Sequence, residues 1–292
     1  MSAPAPVFRF APSPNGELHL GHALSACIGH DWARAAGGRF LVRIEDIDVG
    51  RARHELVEAI YRELAWLGLT WERPVLRQSE HLAVYRQAAH KLEAAGLLYP
   101  CFATRTEIAA SAGAGTAATD PDGAPLYPGP HKRLARAEVE RRRAAGEPFA
   151  LRLDMDKARE EVDRLLGGRP LTFTELDEEG REKTIRARPE RWGDAVIVRK
   201  DVPASYHLAV VVDDARQRVS HVTRGRDLFA ATDLHRLLQV LLGLPEPVYH
   251  HHRLVTDEAG RKLAKSSRDT TLRSLREAGV EPAEVRRRIG LH

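Results

Sequence analysis

Two short segments near opposite ends of the chain carry residue types suited to handling phosphate. In the first, "PSPNGELHLGH" (12–22), His19 and His22 stand three apart with Gly21 between them, where a strand-like start gives way to a helix-like continuation. At that spacing both imidazoles can face one side, and the glycine permits close backbone approach. A helix N-terminus supplies unsatisfied N–H groups and a partial positive charge, so a phosphate fits there with the imidazoles as further donors. In the second, "KLAKSS" (262–267) places Lys262 and Lys265 on one Gly-preceded loop with the hydroxyls of Ser266 and Ser267 behind them. Two ammonium groups so placed can wrap a polyphosphate and follow its developing charge. Either segment alone is common in proteins; the pair is informative because both flank one α/β pattern.

The elements that must position these residues follow from periodicity. "VFRFAPS" alternates and is rich in β-formers, and "GELHLGHALSACIGHDWARAAGG" then carries apolar residues at helical spacing up to Gly37 and Gly38. "RFLVRIEDID" returns as a buried strand ending in carboxylates, and "RHELVEAIYRELAWLGL" as an amphipathic helix. The order β, α, β, α predicts a parallel sheet, whose ligands bind at the carboxyl ends of the strands. A further helix is expected from about Ser79 to Ala95, with Ser79 as its N-cap.

From Tyr99 to about Trp192 the pattern changes. "ASAGAGTAATDPDGAPLYPGP" reads as a loop and "RLARAEVERRRAAG" as a charged helix, so this region has the character of an insertion. Strands are expected again at "DAVIVRK" and in "SYHLAVVVDDARQRVSHVTRG", the latter as a hairpin turning near Asp214 to Gln217 and completing the sheet. "DLHRLLQVLLGL" is an amphipathic helix ending at Gly243.

A chain of 292 residues with 43% hydrophobic content can bury one sizeable core or two small ones. It has no apolar run of membrane-span length, and "MSAPAPVFRF" lacks the charged-then-apolar order of an export signal, so a cytoplasmic protein without membrane partners is expected. Two cysteines, Cys27 and Cys101, suggest a reducing compartment and no disulfide framework. Net charge is +4, yet residues 261–292 hold nine Lys or Arg against four Asp or Glu, so the basicity is local and compatible with RNA.

"HLGH" (19–22) and "KLAKS" (262–266) resemble the two signature motifs of class I aminoacyl-tRNA synthetases, and "RFAPSPNGELHLGH" resembles their glutamyl branch. "VRIEDID", "YHLAVVVDDARQRVSHVTRGRDL" and "YHHHRLV" match as well, so the likeness covers nearly the whole chain. Only 26 residues follow Ser266, which resembles the truncated paralogues that lack anticodon-binding domains and join glutamate to the queuosine base of tRNA(Asp). The resemblance implies an α/β fold. A Rossmann-like catalytic domain is split into 1–98 and 192–243, with an inserted acceptor-type subdomain at 99–191 and the lysine loop with a short helical end at 244–292.

It further implies ATP-dependent activation of L-glutamate to glutamyl-adenylate, with Mg2+ accompanying ATP, transfer to queuosine-containing tRNA(Asp), and a monomer. His19, Gly21 and His22 would contact ATP together with Lys262, Lys265 and Ser266, with His19, His22, Lys262 and Lys265 as the catalytic set. Glutamate would lie against Arg9, Phe10, Ala11, Pro12, Ser13, Glu45, Tyr206 and Arg224, where arginine forks suit carboxylates and Glu45 suits the ammonium. Which arginine meets which carboxylate stays open, as does whether Asp213, Asp214, Asp227 and His207 are structural or line the site. The family's insert commonly carries a zinc site of Cys-x-Cys, Tyr and Cys; here Cys101, Tyr127 and His131 remain, while Ala103 replaces a ligand, so zinc is not expected. The tract His250, His251 and His252 reads as structural, because strand alternation separates adjacent side chains. Two other readings stand beside the modifying ligase: a short synthetase charging a tRNA 3′ end, and a non-catalytic paralogue that binds glutamate or RNA.

Overall fold

Alternation along the first strand decides what each side of the central sheet will hold. In β1 (Val7–Phe10), Phe8 and Phe10 enter one apolar cluster, whereas Val7 enters another on the opposite face, and Arg9 shares the face of Val7. The computed structural model describes residues 4–111, 118–255 and 271–291. After β1 come α1 (Leu20–Ala35), β2 (Arg39–Ile44), α2 (His54–Trp66), β3 (Leu76–Arg77) and α3 (Leu82–Ala94). Next are β4 (Leu98–Cys101), α4 (Arg105–Ser111), α5 (Arg136–Ala144), β5 (Ala150–Leu153) and α6 (Met155–Leu166). The hairpin β6 (Thr172–Leu176) and β7 (Glu182–Arg186) is followed by β8 (Val196–Val198), α7 (Tyr206–Arg216) and β9 (His221–Gly225). The chain continues through α8 (Ala231–Leu242), β10 (Val248–His252), α9 (Leu272–Glu277) and α10 (Pro282–Arg288).

Seven strands form the main sheet in the order β3-β2-β1-β9-β10-β6-β7. All neighbours in it are parallel except the β6–β7 hairpin. β1 lies between β2, its successor, and β9, which arrives some 200 residues later: Phe8 pairs with Phe40 on one side and His221 on the other. Such a change of direction opens a crevice beyond the carboxyl ends of the two strands. One face of the sheet is covered by α1 and α2, with α9 and α10 packed on them through Leu272, Leu275, Val285 and Ile289. On the opposite side α3, α6, α7 and α8 pack together around Tyr85, Leu208, Leu234 and Leu238. Gly29 of α1 is needed for the close approach to the sheet, since a Cβ there would lie 2.8 Å from Thr223 Oγ1 of β9. Among the described residues no helix is long and apolar enough to cross a membrane, and Cys27 and Cys101 are buried free thiols.

Three local expectations are corrected. "YHLAVVVDDAR" is the helix α7, not the first arm of a hairpin. Ser205 caps it by accepting from the Leu208 amide, and Leu208 through Asp214 are all buried. A continuous apolar run has no periodicity to separate a buried strand from a helix enclosed on every side, so the β-branched valines misled the sequence reading. "DAVIVRK" does supply a strand, β8, but it pairs with β5 in a separate three-stranded antiparallel sheet, β4-β5-β8, and does not extend the main one. The hairpin β6–β7, which precedes it, is what extends the main sheet at its β10 edge. Ser79 does not cap α3, whose N-cap is His81; its amide and hydroxyl donate instead to Asp46 at 2.9 and 2.8 Å.

Arg9 of β1 and Arg43 of β2 both point to the α7 side, where Asp214 receives them. Arg9 donates to both carboxylate oxygens of Asp214, from Nε at 3.1 Å and Nη2 at 3.4 Å, while Arg43 Nη1 donates at 2.7 Å. Arg43 Nη2 also reaches Glu45 Oε1 at 3.1 Å. Burial would raise the pKa of Asp214, but the two guanidinium groups outweigh it and hold the carboxyl below its ordinary range. Removing one partner of a buried charge pair leaves the other uncompensated, so Asp214→Asn should lower unfolding free energy by about 3–5 kcal/mol in denaturant titration. The wild-type contribution is complete above the unfolded carboxylate pKa of about 3.9 and is lost as pH falls through the lower folded value. A wild-type minus Asp214→Asn difference that shrinks only in this acid range is the expected result.

Candidate active site

The crevice beyond β1 and β9 is a cleft of about 660 Å³. Its walls come from the carboxyl ends of four parallel strands: Phe10, Ala11, Pro12 and Ser13 at β1, Glu45 at β2, Gly225, Asp227 and Leu228 at β9, and His252, Leu254 and Val255 at β10. The N-terminus of α1 closes one side with His19, Gly21 and His22, and Tyr206 at the start of α7 contributes another wall. Every described residue expected to touch ATP or glutamate lines this one cleft: Arg9, Phe10, Ala11, Pro12, Ser13, His19, Gly21, His22, Glu45, Tyr206 and Arg224. Lys262, Lys265 and Ser266 lie outside the described residues.

The two histidines are built into the helix start. His19 is the N-cap of α1; its Nδ1 accepts from the Gly21 amide at 3.1 Å, while His22 Nδ1 accepts from the His19 amide at 3.2 Å. This reciprocal pair is a capping box made with imidazoles in place of Ser and Glu. Because each Nδ1 accepts, each neutral ring carries its proton on Nε2 and can donate from there. The rings lie 3.9 Å apart, centroid to centroid, and a Cβ on Gly21 would come within 3.0 Å of His19 Cε1. The glycine therefore makes room for the imidazole as well as for a ligand.

The charge of the cleft is asymmetric. Arg9 is matched by Asp214, whereas Arg224, 4% exposed, makes no ion pair among the described residues: Nε donates to His251 Nε2 at 3.0 Å, Nη1 to His235 Nδ1 at 3.2 Å, and Nη2 to Thr232 Oγ1 at 2.6 Å. Burial, reinforced by the neighbouring Arg224 charge, pushes the pKa values of His235 and His251 well below the ordinary imidazole value, so both are neutral. Glu45 is buried, which raises its carboxyl pKa against the opposing pull of Arg43 and Arg9. Three buried guanidinium groups (Arg9, Arg43 and Arg224) lie at the cleft with the carboxylates of Asp214 and Glu45, which Arg9 and Arg43 contact, so Arg224 is the one of the three whose described contacts include no carboxylate.

The undecided residues divide. Asp213 is structural, accepting from Gln78 at 3.0 Å, Tyr85 at 2.7 Å and Arg216 at 3.0 Å. Asp214 lies beneath the cleft as the anchor of Arg9, while Asp227 lines the cleft. His207 is packed against Trp192 and His235, and burial lowers its pKa to about 4. The histidine tract splits as alternation requires: His251 faces Arg224, while His250 packs at a tilt against Trp32 and His252 meets Ser25 Oγ at 2.6 Å, both on the α1 side. Residues the sequence reading passed over include Asn15, Ser25 and Thr223 in the cleft, and Thr232, His235 and Glu175 behind Arg224; His252, read there as structural, also lines the cleft. Polar residues at alternate positions inside otherwise apolar strands, as with Arg9 and Arg224, were the available signal.

Cys101, Tyr127 and His131 do meet, away from the cleft, but their donors are engaged with the fold. His131 Nδ1 accepts from the Ala103 amide at 3.2 Å and lies 3.8 Å from Cys101 Sγ, and Tyr127 Oη accepts from the His131 amide at 3.0 Å. This set does not fit zinc, which takes four ligands of thiolate, imidazole or carboxylate type. Among the described residues no group of three or more His, Cys, Asp or Glu could hold a metal ion. The described arginines of the basic C-terminal segment are each paired: Arg273 with Glu17, Arg276 with Glu63, Arg286 with Asp31, and Arg287 and Arg288 with Glu284. Their first role is to fasten α9 and α10 or to brace α10 itself.

Residues 7–291 match the family described as tRNA synthetases class I (E and Q), catalytic domain. The chain is 48% identical to the glutamyl-Q tRNA(Asp) synthetase of Rhodobacter capsulatus, covering 98% of this chain and 100% of that protein. It is 40% identical to the protein of the same name from Symbiobacterium thermophilum, over 95% of this chain and 83% of the other. The solved glutamate-tRNA synthetase of Elizabethkingia anophelis superposes with a TM-score of 0.70 at 25% identity; the match covers 94% of this chain but only about half, 54%, of that one. A parallel sheet with its cleft at the β1–β9 switch, a histidine-capped helix in that cleft and a family match over nearly all residues converge: the chain belongs to the class I aminoacyl-tRNA synthetases of the glutamate and glutamine branch, and is a ligase.

Proposed function

We propose that this ligase activates L-glutamate with ATP and transfers the glutamyl group to the queuosine base of tRNA(Asp). The observation that carries the choice of an acidic amino acid is the buried Arg224, a guanidinium in the cleft wall with neutral hydrogen-bond partners and no carboxylate partner among the described residues. Burying a cation without a counter-ion is costly, and a ligand carboxylate would relieve that cost. The choice of acceptor is supported by the relatives of matching length that bear the glutamyl-Q name.

In this reading no side-chain nucleophile is needed. A carboxylate oxygen of glutamate attacks the α-phosphorus of ATP, the new P–O bond forms, and pyrophosphate departs with the electron pair of the bond that breaks. His19 and His22 donate from Nε2 to the phosphates beside the α1 N-terminus, and the lysine loop supplies Lys262 and Lys265 to the leaving pyrophosphate. Mg2+ would be held mainly by the phosphates of ATP, with few protein ligands, and would supply charge neutralisation to the leaving pyrophosphate. Glu45 receives the ammonium group, fixing the amino acid so that the reaction proceeds by positioning and electrostatic stabilisation. A hydroxyl of the modified nucleoside then attacks the acyl carbon, AMP leaves, and the hydroxyl proton is released to solvent.

Incubation with ATP, Mg2+ and labelled glutamate should label tRNA(Asp) that contains queuosine and leave queuosine-free tRNA(Asp) unlabelled. Equal labelling of both would assign the chain to 3′-end charging instead, and labelling of neither by folded protein would favour a binding role. The capping geometry gives a second test. Gly21→Ala crowds the His19 ring, so it should raise the KM for ATP about tenfold. Thermal stability should change little, because the gain of about 1 kcal/mol for alanine over glycine in a helix is offset by a loss of about 1 kcal/mol when the His19 cap is displaced.

A further inference from the structure

Behind Arg224 lies a closed set of polar side chains that the reaction scheme does not use. Glu175, on β6, accepts twice from His251: from its backbone amide at 2.8 Å and from its Nδ1 at 2.7 Å. His251 therefore carries its proton on Nδ1, leaving Nε2 as an acceptor. That nitrogen receives Arg224 Nε–H at 3.0 Å and lies 3.1 Å from Thr232 Oγ1, which itself accepts from Arg224 Nη2. On the other side His235 Nδ1 must accept, because guanidinium can only donate; its proton then sits on Nε2, facing His207 Nδ1 at 3.1 Å. Because the guanidinium only donates, it fixes the hydrogen-bond directions on both of its sides, toward Glu175 on one and His207 on the other.

This arrangement does two things at once. It engages three of the five N–H groups of Arg224 with directed acceptors, which fixes the plane of the guanidinium and leaves two for a ligand. It also makes the contacting acceptors neutral: Glu175 stands one imidazole away, so it sets the tautomer of His251 without forming an ion pair with the arginine. A carboxylate placed directly on Arg224 would hold it as firmly but would compete with the substrate for its charge, as Asp214 does at Arg9.

We infer that Glu175, His251, Thr232 and His235 are positioning residues for amino-acid specificity, holding Arg224 rigid through neutral acceptors so that its charge is reserved for a carboxylate of the substrate. The inference deepens the functional reading above and rests on glutamate being the ligand of this cleft. Thr232→Val keeps the shape of the side chain while deleting the acceptor of Arg224 Nη2 and the donor to His251. Glu175→Gln acts at the far end. The two His251 donors meet different oxygens of Glu175, and an amide has only one accepting atom, so in the same placement either the backbone amide meets an NH2 group or His251 changes tautomer and turns an N–H toward Arg224 Nε–H.

The test is calorimetric titration of L-glutamate into the full chain, with ATP-analogue binding as the control. Thr232→Val and Glu175→Gln should each weaken glutamate binding about tenfold or more, the scale of one hydrogen bond to a charged group. Thr232→Ser, which restores the hydroxyl, should return to within about threefold of the wild type. Binding of the ATP analogue should be unchanged throughout. Undiminished glutamate affinity in Thr232→Val, or an equal loss in Thr232→Val and Thr232→Ser, would overturn the inference while leaving the functional reading intact. Failure of the unaltered chain to bind glutamate would overturn both.

Discussion

The structure depends on how one sheet face accommodates buried arginines. Arg9, Arg43 and Arg224 all point from parallel strands toward the α7–α8 layer, each at most 4% exposed. Left alone, such charges would repel one another and oppose burial. Asp214 resolves the first two by accepting from both, which ties β1, β2 and α7 together at the floor of the cleft. Arg224 is treated differently: its partners among the described residues are neutral, which is the basis for the proposal that its charge meets a ligand. The core and the proposed specificity of the site thus share one electrostatic constraint.

The opposite wall of the cleft follows the same economy of parts. Every α-helix has unsatisfied N-terminal amides, and here the residues that satisfy them are also the proposed phosphate donors. By accepting at Nδ1, His19 and His22 finish the start of α1 and fix their own tautomers. Glycine at position 21 serves both purposes, because a larger residue would displace the ring that caps the helix. Where the fold instead consumes its polar groups internally, as at Cys101, Tyr127 and His131, the donor set available to a metal is incomplete.

Much of this was legible in the sequence. The opening β-α-β units, the helix stopped near Gly37 and the expected ligand site at the strand ends correspond to β1, α1, β2 and the cleft, because amphipathic periodicity and glycine punctuation are local signals. α7 was read as a strand because its valine run is buried all round, and only the Ser205 cap marked it as a helix. β8 was recognised as a strand but not its sheet, since pairing partners are a tertiary property. The glutamate-site candidates were found through a family likeness; the residues that support them were not. Asp214 was left undecided, and Glu175, Thr232 and His235 carry no motif. Their roles arise from strand register and helix packing that no short segment encodes.

The central claim is that charge, held in reserve at Arg224, selects the amino acid. It is tested most directly by comparing ATP–pyrophosphate exchange with glutamate and with glutamine, each in the presence of queuosine-containing tRNA(Asp). Glutamine is nearly isosteric but neutral, so the account predicts exchange at least about a hundredfold more efficient, in kcat/KM, with glutamate. Comparable exchange with the two amino acids would contradict it.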